Sequence, residues 1–387
     1  MRWNSNGRKR ISATLAAALF LAAATASAVA QTREFPSKKV ALSVEALATG
    51  LKQPWSVEAL PDGGYLVSEK GGTLRLIRGH AVSAPISGVP EVATNGQGGL
   101  LDIALAPDFA TSRILYLTYS ARGDGGIGTA LARASLSDDA TQLEDVKRLF
   151  LMNRLTTRGQ HFGSRIAIAA DGSLFFGIGD RGEGERAQDP RDHAGAILHI
   201  NPDGSPHADN PFKGSADGLA EIWSKGHRNP QGLAIDPKDG TLLSAEHGAR
   251  GGDEINTPQP GRNYGWPLVS YGRHYSGAEF DLGSSAQGYE PPLYYWDPSI
   301  APGAIAVYRG AMFPEWDGNL IVAALKYQLV ARLERDESGE VVSEERLFGG
   351  EFGRIRDVVV APDGALLLLT DGADGTLLRV SRSTVTD

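Results

Sequence analysis

His161 stands in Gln160-His161-Phe162-Gly163, directly before an apolar run. An imidazole changes charge near neutral pH, so it can serve there as a general base. A lone loop histidine is also often merely exposed, so position must decide between the two. The stretch Gly226-His227-Arg228-Asn229-Pro230-Gln231-Gly232 packs cations, amides and turn formers into seven residues. Arg supplies a rigid donor fork and Asn a two-sided amide, which together suit a planar, oxygen-rich ligand. Lys326, Arg354 and Arg356 are three further cations, and Lys326 ends an apolar run. Buried cations need anionic partners, which neighbouring carboxylates or a polyanionic ligand could equally supply. Around residues 246–264, Glu246, Asp253 and Glu254 alternate with glycines whose carbonyls are free to bind. Carboxylates with carbonyls form a calcium ligand set, yet the spacing is no EF-hand and a solvated acidic loop fits as well.

The elements that could position these residues follow from punctuation. Gly (48) and Pro (21) make up 18 % of the 387 residues, against about 12 % in ordinary chains, which calls for many tight turns and disfavours a helical bundle. A Pro-Asp-Gly type of turn sits between two β-rich runs six times, around Asp62, Asp108, Asp171, Asp239, Asp317 and Asp363. The intervals average about 60 residues, and a third strand often follows. Six units of three or four antiparallel strands predict an all-β, six-bladed β-propeller, of four-stranded blades when each unit is complete. The segment 40–51 could close the ring by pairing with the last blade. If each such turn joins strand A to strand B, residues just before A and just after B ring one mouth of the channel. Gln97, His161, Arg228, Asn229, Arg354 and Arg356 stand before A; Asp180, residues 246–248, Lys326 and Asp371 stand after B. That crowding of polar groups on one rim is the layout of an active site. A sandwich or two small barrels is the competing architecture.

Several chemistries are excluded. With no cysteine there are no disulfides, thiol nucleophiles or Cys-ligated metals. Gly177-Ile178-Gly179-Asp180-Arg181-Gly182 fits G-x-G-x-x-G, but the residues after it carry Pro190 and no apolar periodicity, so the helix required for dinucleotide binding is missing. Neither G-x-S-x-G nor H-E-x-x-H occurs. Residues 1–30 read as a secretory signal peptide: a basic start, an Ala- and Leu-rich stretch, then Ala28-Val29-Ala30. This leaves residues 31–387 as one propeller domain, exported to the periplasm or secreted, without stable membrane insertion after cleavage. The first thirty residues hold four of the 38 Lys and Arg and none of the 46 Asp and Glu, so the mature chain carries a net charge of −12. Nucleic acid is therefore not an expected partner.

With these residues in view, the sequence resembles the PQQ-dependent soluble aldose sugar dehydrogenases, the glucose/sorbosone dehydrogenase family. The resemblance rests on Gly96-Gln97-Gly98-Gly99-Leu100-Leu101, His161-Phe162-Gly163, residues 227–233, Asp253-Glu254-Ile255-Asn256 with Asn263-Tyr264-Gly265-Trp266-Pro267, and Arg354-Ile355-Arg356-Asp357, in the family's order. It implies an exported, calcium-dependent enzyme that oxidises an aldose at C1 to the lactone and hands electrons to an external acceptor (a quinone, a dye or a redox protein). It implies that His161 takes the C1 hydroxyl proton while hydride passes to the quinone C5, with Arg228 and calcium polarising the quinone oxygen. Gln97 and Asn229 would hydrogen-bond the cofactor, Tyr275 would cover its face, and Lys326, Arg354 and Arg356 would answer its three carboxylates. The carbonyls of Gly248 and Ala249 match the cofactor-side calcium position, and Glu254 with the Tyr264 carbonyl resembles a further calcium site. Ala249 replaces a Pro common in the glucose enzymes, and Arg250-Gly251-Gly252 departs from their loop, which leaves substrate preference and dimerisation open. Two other classes remain: a calcium-dependent propeller hydrolase of the lactonase type, which would not need three rim cations, and a non-catalytic propeller that binds sugar or a partner.

Overall fold

The computed structural model describes residues 32–384; the expected signal peptide lies outside them. Six antiparallel sheets follow one another along the chain. Blades 1 to 5 span residues 54–82, 100–151, 166–225, 230–296 and 302–347, each with four strands. Blade 6 is built from Ile355–Val360, Leu366–Thr370 and Gly375–Arg382, and the early strand Leu42–Leu51 pairs with Gly375–Arg382 to close the ring. Arg33–Phe35 adds a fifth strand outside it. The inner strands of successive blades pack on one another in sequence order, and that of blade 6 packs on that of blade 1. The fold is thus a six-bladed β-propeller, as the turn repeats require.

Its strand composition follows from being sandwiched. Second strands such as Leu320–Ala324, Leu366–Thr370 and Leu174–Ile178 are buried at every residue, because a neighbouring blade covers each face. The outer strand Leu143–Leu151 is exposed at four central charged or polar positions and at Val146, since it faces water. Each of the six blade interfaces holds its own apolar cluster. Leu66, Leu74, Leu100 and Leu117 fill the one between blades 1 and 2, and Leu47, Leu51, Val57, Val67 and Leu367 fill the one between 6 and 1.

The repeated turn works as its residues dictate. Gly63, Gly172 and Gly364 adopt φ of +87°, +85° and +87°, and each amide closes the turn onto the carbonyl of the residue three before it. Only glycine takes that conformation at no steric cost. All A-to-B turns therefore fall on one face, and the chain enters A and leaves B on the other.

A charged clasp joins blades 4 and 5 on the turn face. The buried Asp236 accepts from Arg309 at 3.1 and 3.0 Å and from Arg335 at 2.7 Å. Burial raises the Asp236 pKa, but the two guanidiniums outweigh it and pull it from 3.8 to about 2. A carboxylate lowered on folding stabilises above its unfolded pKa and loses that contribution as pH falls through the folded one. Asp236→Asn should therefore lower Tm at pH 7, with the deficit closing as the melt is repeated from pH 4 down to about 2.

Candidate active site

The face opposite the turns carries the polar rim. His161 sits just ahead of the short inner strand Ile166–Ile168, in a coiled segment where His161, Gly163 and Ser164 have φ of +53°, +63° and +86°. A non-glycine residue in this region costs about 1–3 kcal/mol and persists only when its surroundings hold it. Here the holding groups are visible. The His161 amide donates to Gln97 Oε1 at 2.7 Å, and Thr129 Oγ1 donates to the Phe162 carbonyl at 2.8 Å. Beneath them the fully buried Arg181 stacks on Phe162, with its guanidinium carbon 3.4 Å from the ring centre, and donates to the carbonyls of Gln160 and Arg158.

The imidazole itself is oriented. His161 Nδ1 donates to Asp180 Oδ1 at 2.6 Å; Oδ1 also accepts from the Gly182 amide at 2.6 Å, and Oδ2 accepts from Trp266 Nε1 at 2.7 Å. Burial alone would raise the Asp180 pKa, but His161 and the other donors hold it below the usual value, so the carboxylate stays ionised. It therefore selects the tautomer with the proton on Nδ1 and leaves Nε2 free to accept one. Sequence reasoning placed Asp180 on the rim without pairing it to His161. The two are 19 residues apart and meet only across strands of one blade.

Arg228 is fixed from both sides. Its amide donates to the buried Glu246 Oε2 at 2.7 Å, and its carbonyl accepts from the Asp180 amide at 2.9 Å. Glu246 Oε1 holds His227 Nδ1 at 2.8 Å and Asn256 Nδ2 at 2.9 Å. The guanidinium reaches the His247 carbonyl at 3.2 Å and the Tyr275 hydroxyl at 3.4 Å, while its Nε is buried with no partner.

Gln97, His161, Arg228, Gly248, Ala249, Tyr275 and Lys326 line one cavity of about 700 Å³. A deeper cavity of about 220 Å³ is lined by Asn229, Arg354 and Arg356, and shares Gln97 and His247 with the first. Arg354 and Arg356 share a single carboxylate, Asp371, at 3.0 and 3.3 Å; Arg356 Nη1 takes Gln231 Oε1 at 2.8 Å and its Nε is buried and unpartnered. Lys326 is exposed toward the cavity rather than buried behind its apolar run, and pairs with no carboxylate among the described residues. His247, given no role by sequence reasoning, donates Nε2–H to the Pro302 carbonyl at 2.8 Å; burial, then Arg228 and Arg356, pull its pKa to about 4, so it is a neutral wall of both cavities. The carbonyls of Gly248 and Ala249 accept no hydrogen bond from the described residues. Glu254 and Tyr264 lie outside both cavities, around the His227–Glu246 pair: the Tyr264 ring stacks on His227 at 4.8 Å, and Glu254 shares Asn256 with Glu246. No cluster of three or more His, Asp or Glu side chains able to hold a metal occurs among the described residues.

Residues 51–379 match the family described as Glucose / Sorbosone dehydrogenase. The chain belongs to the glucose/sorbosone dehydrogenase family. It is 43 % identical over 346 residues to the aldose sugar dehydrogenase YliI of Escherichia coli (strain K12), covering 88 % of this chain and 93 % of that one. Among solved structures, the family fold aligns with the soluble aldose sugar dehydrogenase of Escherichia coli in its apo form at a TM-score of 0.85 and 42 % identity, over 88 % of this chain and 100 % of that one. It also aligns with the PQQ-bound aldose sugar dehydrogenase of Streptomyces coelicolor at 0.74 and 30 %, over 90 % and 100 %. Among the described residues of this family member, no helix is long and apolar enough to cross a membrane.

Proposed function

We propose that the protein is a PQQ- and calcium-dependent aldose dehydrogenase, periplasmic or secreted, that oxidises a sugar at C1 to the lactone and passes the electrons to an external acceptor. The observation that carries this reading is the unbalanced charge at the base of the cavity. Arg354 and Arg356 share one carboxylate, Lys326 has none among the described residues, and the Nε atoms of Arg228 and Arg356 are buried without a partner. A buried unpaired N–H costs about 1–3 kcal/mol, so such a set fits a polyanion that completes it. The Streptomyces coelicolor structure with PQQ supports the identity of that polyanion.

When bound, PQQ supplies an electron-accepting quinone. This chain's residues do the rest. Lys326, Arg354 and Arg356 would hold the carboxylates, with Gln97 and Asn229 as amide partners, and Tyr275 would cover the cofactor face. Arg228 would aim its donors at the oxygen on which charge develops, and the Gly248 and Ala249 carbonyls would suit a calcium ion beside it. Glu254, the Tyr264 carbonyl and the unpartnered, buried Asn256 Oδ1 suit a second calcium. His161 Nε2 would take the proton of the C1 hydroxyl, with Asp180 stabilising the imidazolium that results.

Purified protein loaded with PQQ and calcium should reduce a dye when an aldose is added. Protein lacking PQQ, or stripped of calcium with a chelator, should not. Hydrolysis of a lactone in the absence of dye reduction would reverse the assignment in favour of a hydrolase.

A further inference from the structure

Arg250 and Arg273 line the same cavity as His161 and Arg228, and both are exposed. They face each other across a short antiparallel bridge in which each amide donates to the other's carbonyl at 3.0 Å. Residues paired in this way send their side chains to the same face. The bridge is rigidly seated. A Cβ at Gly272 would meet the Gly251 carbonyl at 2.3 Å, one at Gly252 would meet the Gly272 amide nitrogen at 2.3 Å, and Gly251 has a φ of +84°, so glycines permit this register.

Like charges placed directly opposite one another are destabilising, and this pair is barely compensated. Arg273 reaches Glu279 at 3.4 Å through exposed surface. Arg250 has no ion pair or side-chain hydrogen bond among the described residues, and Asp297, the only carboxylate lining the cavity, pairs with neither arginine. Lys326, Arg354 and Arg356 are already engaged under the function proposed above. The two arginines are therefore surplus positive charge at the solvent side of the cavity, on a chain that is acidic as a whole.

Resting on that function, we propose that the cavity mouth selects aldoses bearing an anionic group remote from C1, a hexuronate carboxylate or a sugar phosphate. Arg250 and Arg273 are the specificity-determining residues. A guanidinium fork matches either oxyanion, and oxidation at C1 leaves the charged group unchanged.

The test compares kcat/KM for glucose, glucuronate and glucose 6-phosphate with the PQQ- and calcium-loaded protein, alongside direct binding of the three sugars by calorimetry. Either anionic sugar should exceed glucose by about tenfold or more at low salt, with the advantage shrinking as salt is added. In R250Q/R273Q the anionic-to-neutral ratio should fall by about tenfold. A preference for glucuronate alone, for the phosphate alone or for both supports the proposal and names the oxyanion. No preference over glucose, a ratio unchanged in the double variant, or a loss confined to PQQ affinity overturns the proposal. Should no sugar be oxidised, the dehydrogenase function fails; the calorimetry still decides this inference, because anionic sugars binding no more tightly than glucose overturn it.

Discussion

Asp180→Asn should lower kcat for aldose oxidation by about 10²–10⁴-fold, with KM and PQQ affinity changed little. The carboxylate accepts three N–H donors: His161 Nδ1 and the Gly182 amide on one oxygen, Trp266 Nε1 on the other. An Asn has a single acceptor oxygen. If that oxygen stays toward His161, the new NH2 confronts the Trp266 N–H, donor against donor. If the amide flips, its NH2 faces Nδ1 and drives the imidazole proton to Nε2, where it blocks the base. Both outcomes spare the cations that would hold the cofactor, so the damage falls on turnover. His161→Ala sets the floor for comparison. Wild-type kcat in Asp180→Asn would refute the tautomer argument, and full turnover in His161→Ala would show that the base lies elsewhere.

Arg165→Leu should destabilise the protein by about 3–5 kcal/mol, because it breaks a buried ionic cluster from one side. For a domain of this length that corresponds to a Tm lower by about 4–7 °C. Arg165 sits in the channel between the site face and the turn face. It pairs with Asp102 at 2.8 Å and Asp357 at 3.0 Å, donates to the carbonyls of Gln231 and Gly303, and lies 4.4 Å from the Trp55 ring centre. One guanidinium serves several acids. Burial pushes the Asp102 pKa up to about 6 against the pull of Arg165, with Asp357 adding to the rise, and Glu58 is raised as well. Without Arg165 these carboxyls shift higher still. A carboxyl raised on folding stabilises at low pH and loses that contribution as pH rises through its folded pKa. The Tm deficit should therefore be larger at pH 8 than at pH 5, as thermal melts at the two values would show. A deficit independent of pH would mean that packing against Trp55, rather than charge, is what Arg165 contributes.

Much of this was readable in the chain because it is local. A Pro-Asp-Gly turn specifies its own backbone, and six of them between apolar runs leave few architectures other than a ring of antiparallel blades. The same local logic placed Gln97, His161, Arg228, Lys326 and Arg354 at strand ends on one face. Whether the rim cations were answered by carboxylates or left in surplus was not readable, since Asp371 and Gln231 reach Arg356 from different blades. Lys326 looked buried because six apolar residues precede it. Strand Leu320–Ala324 ends before it, and the side chain turns into the cavity.

By itself, then, the sequence determined the blade count, the face that bears the polar rim, the absence of thiol chemistry and the family motifs, all of which depend on neighbouring residues and their spacing. Tertiary structure alone decided the His161–Asp180 pair, the sharing of Asp371, the plugging of the channel by Arg165 and the opposition of Arg250 to Arg273. Each of these is an electrostatic or hydrogen-bonded contact between residues brought together by strand pairing within a blade, by the packing of blades around the ring or by a loop folding back. Their energies depend on distances of a few ångströms and on burial, which spacing along a chain does not encode.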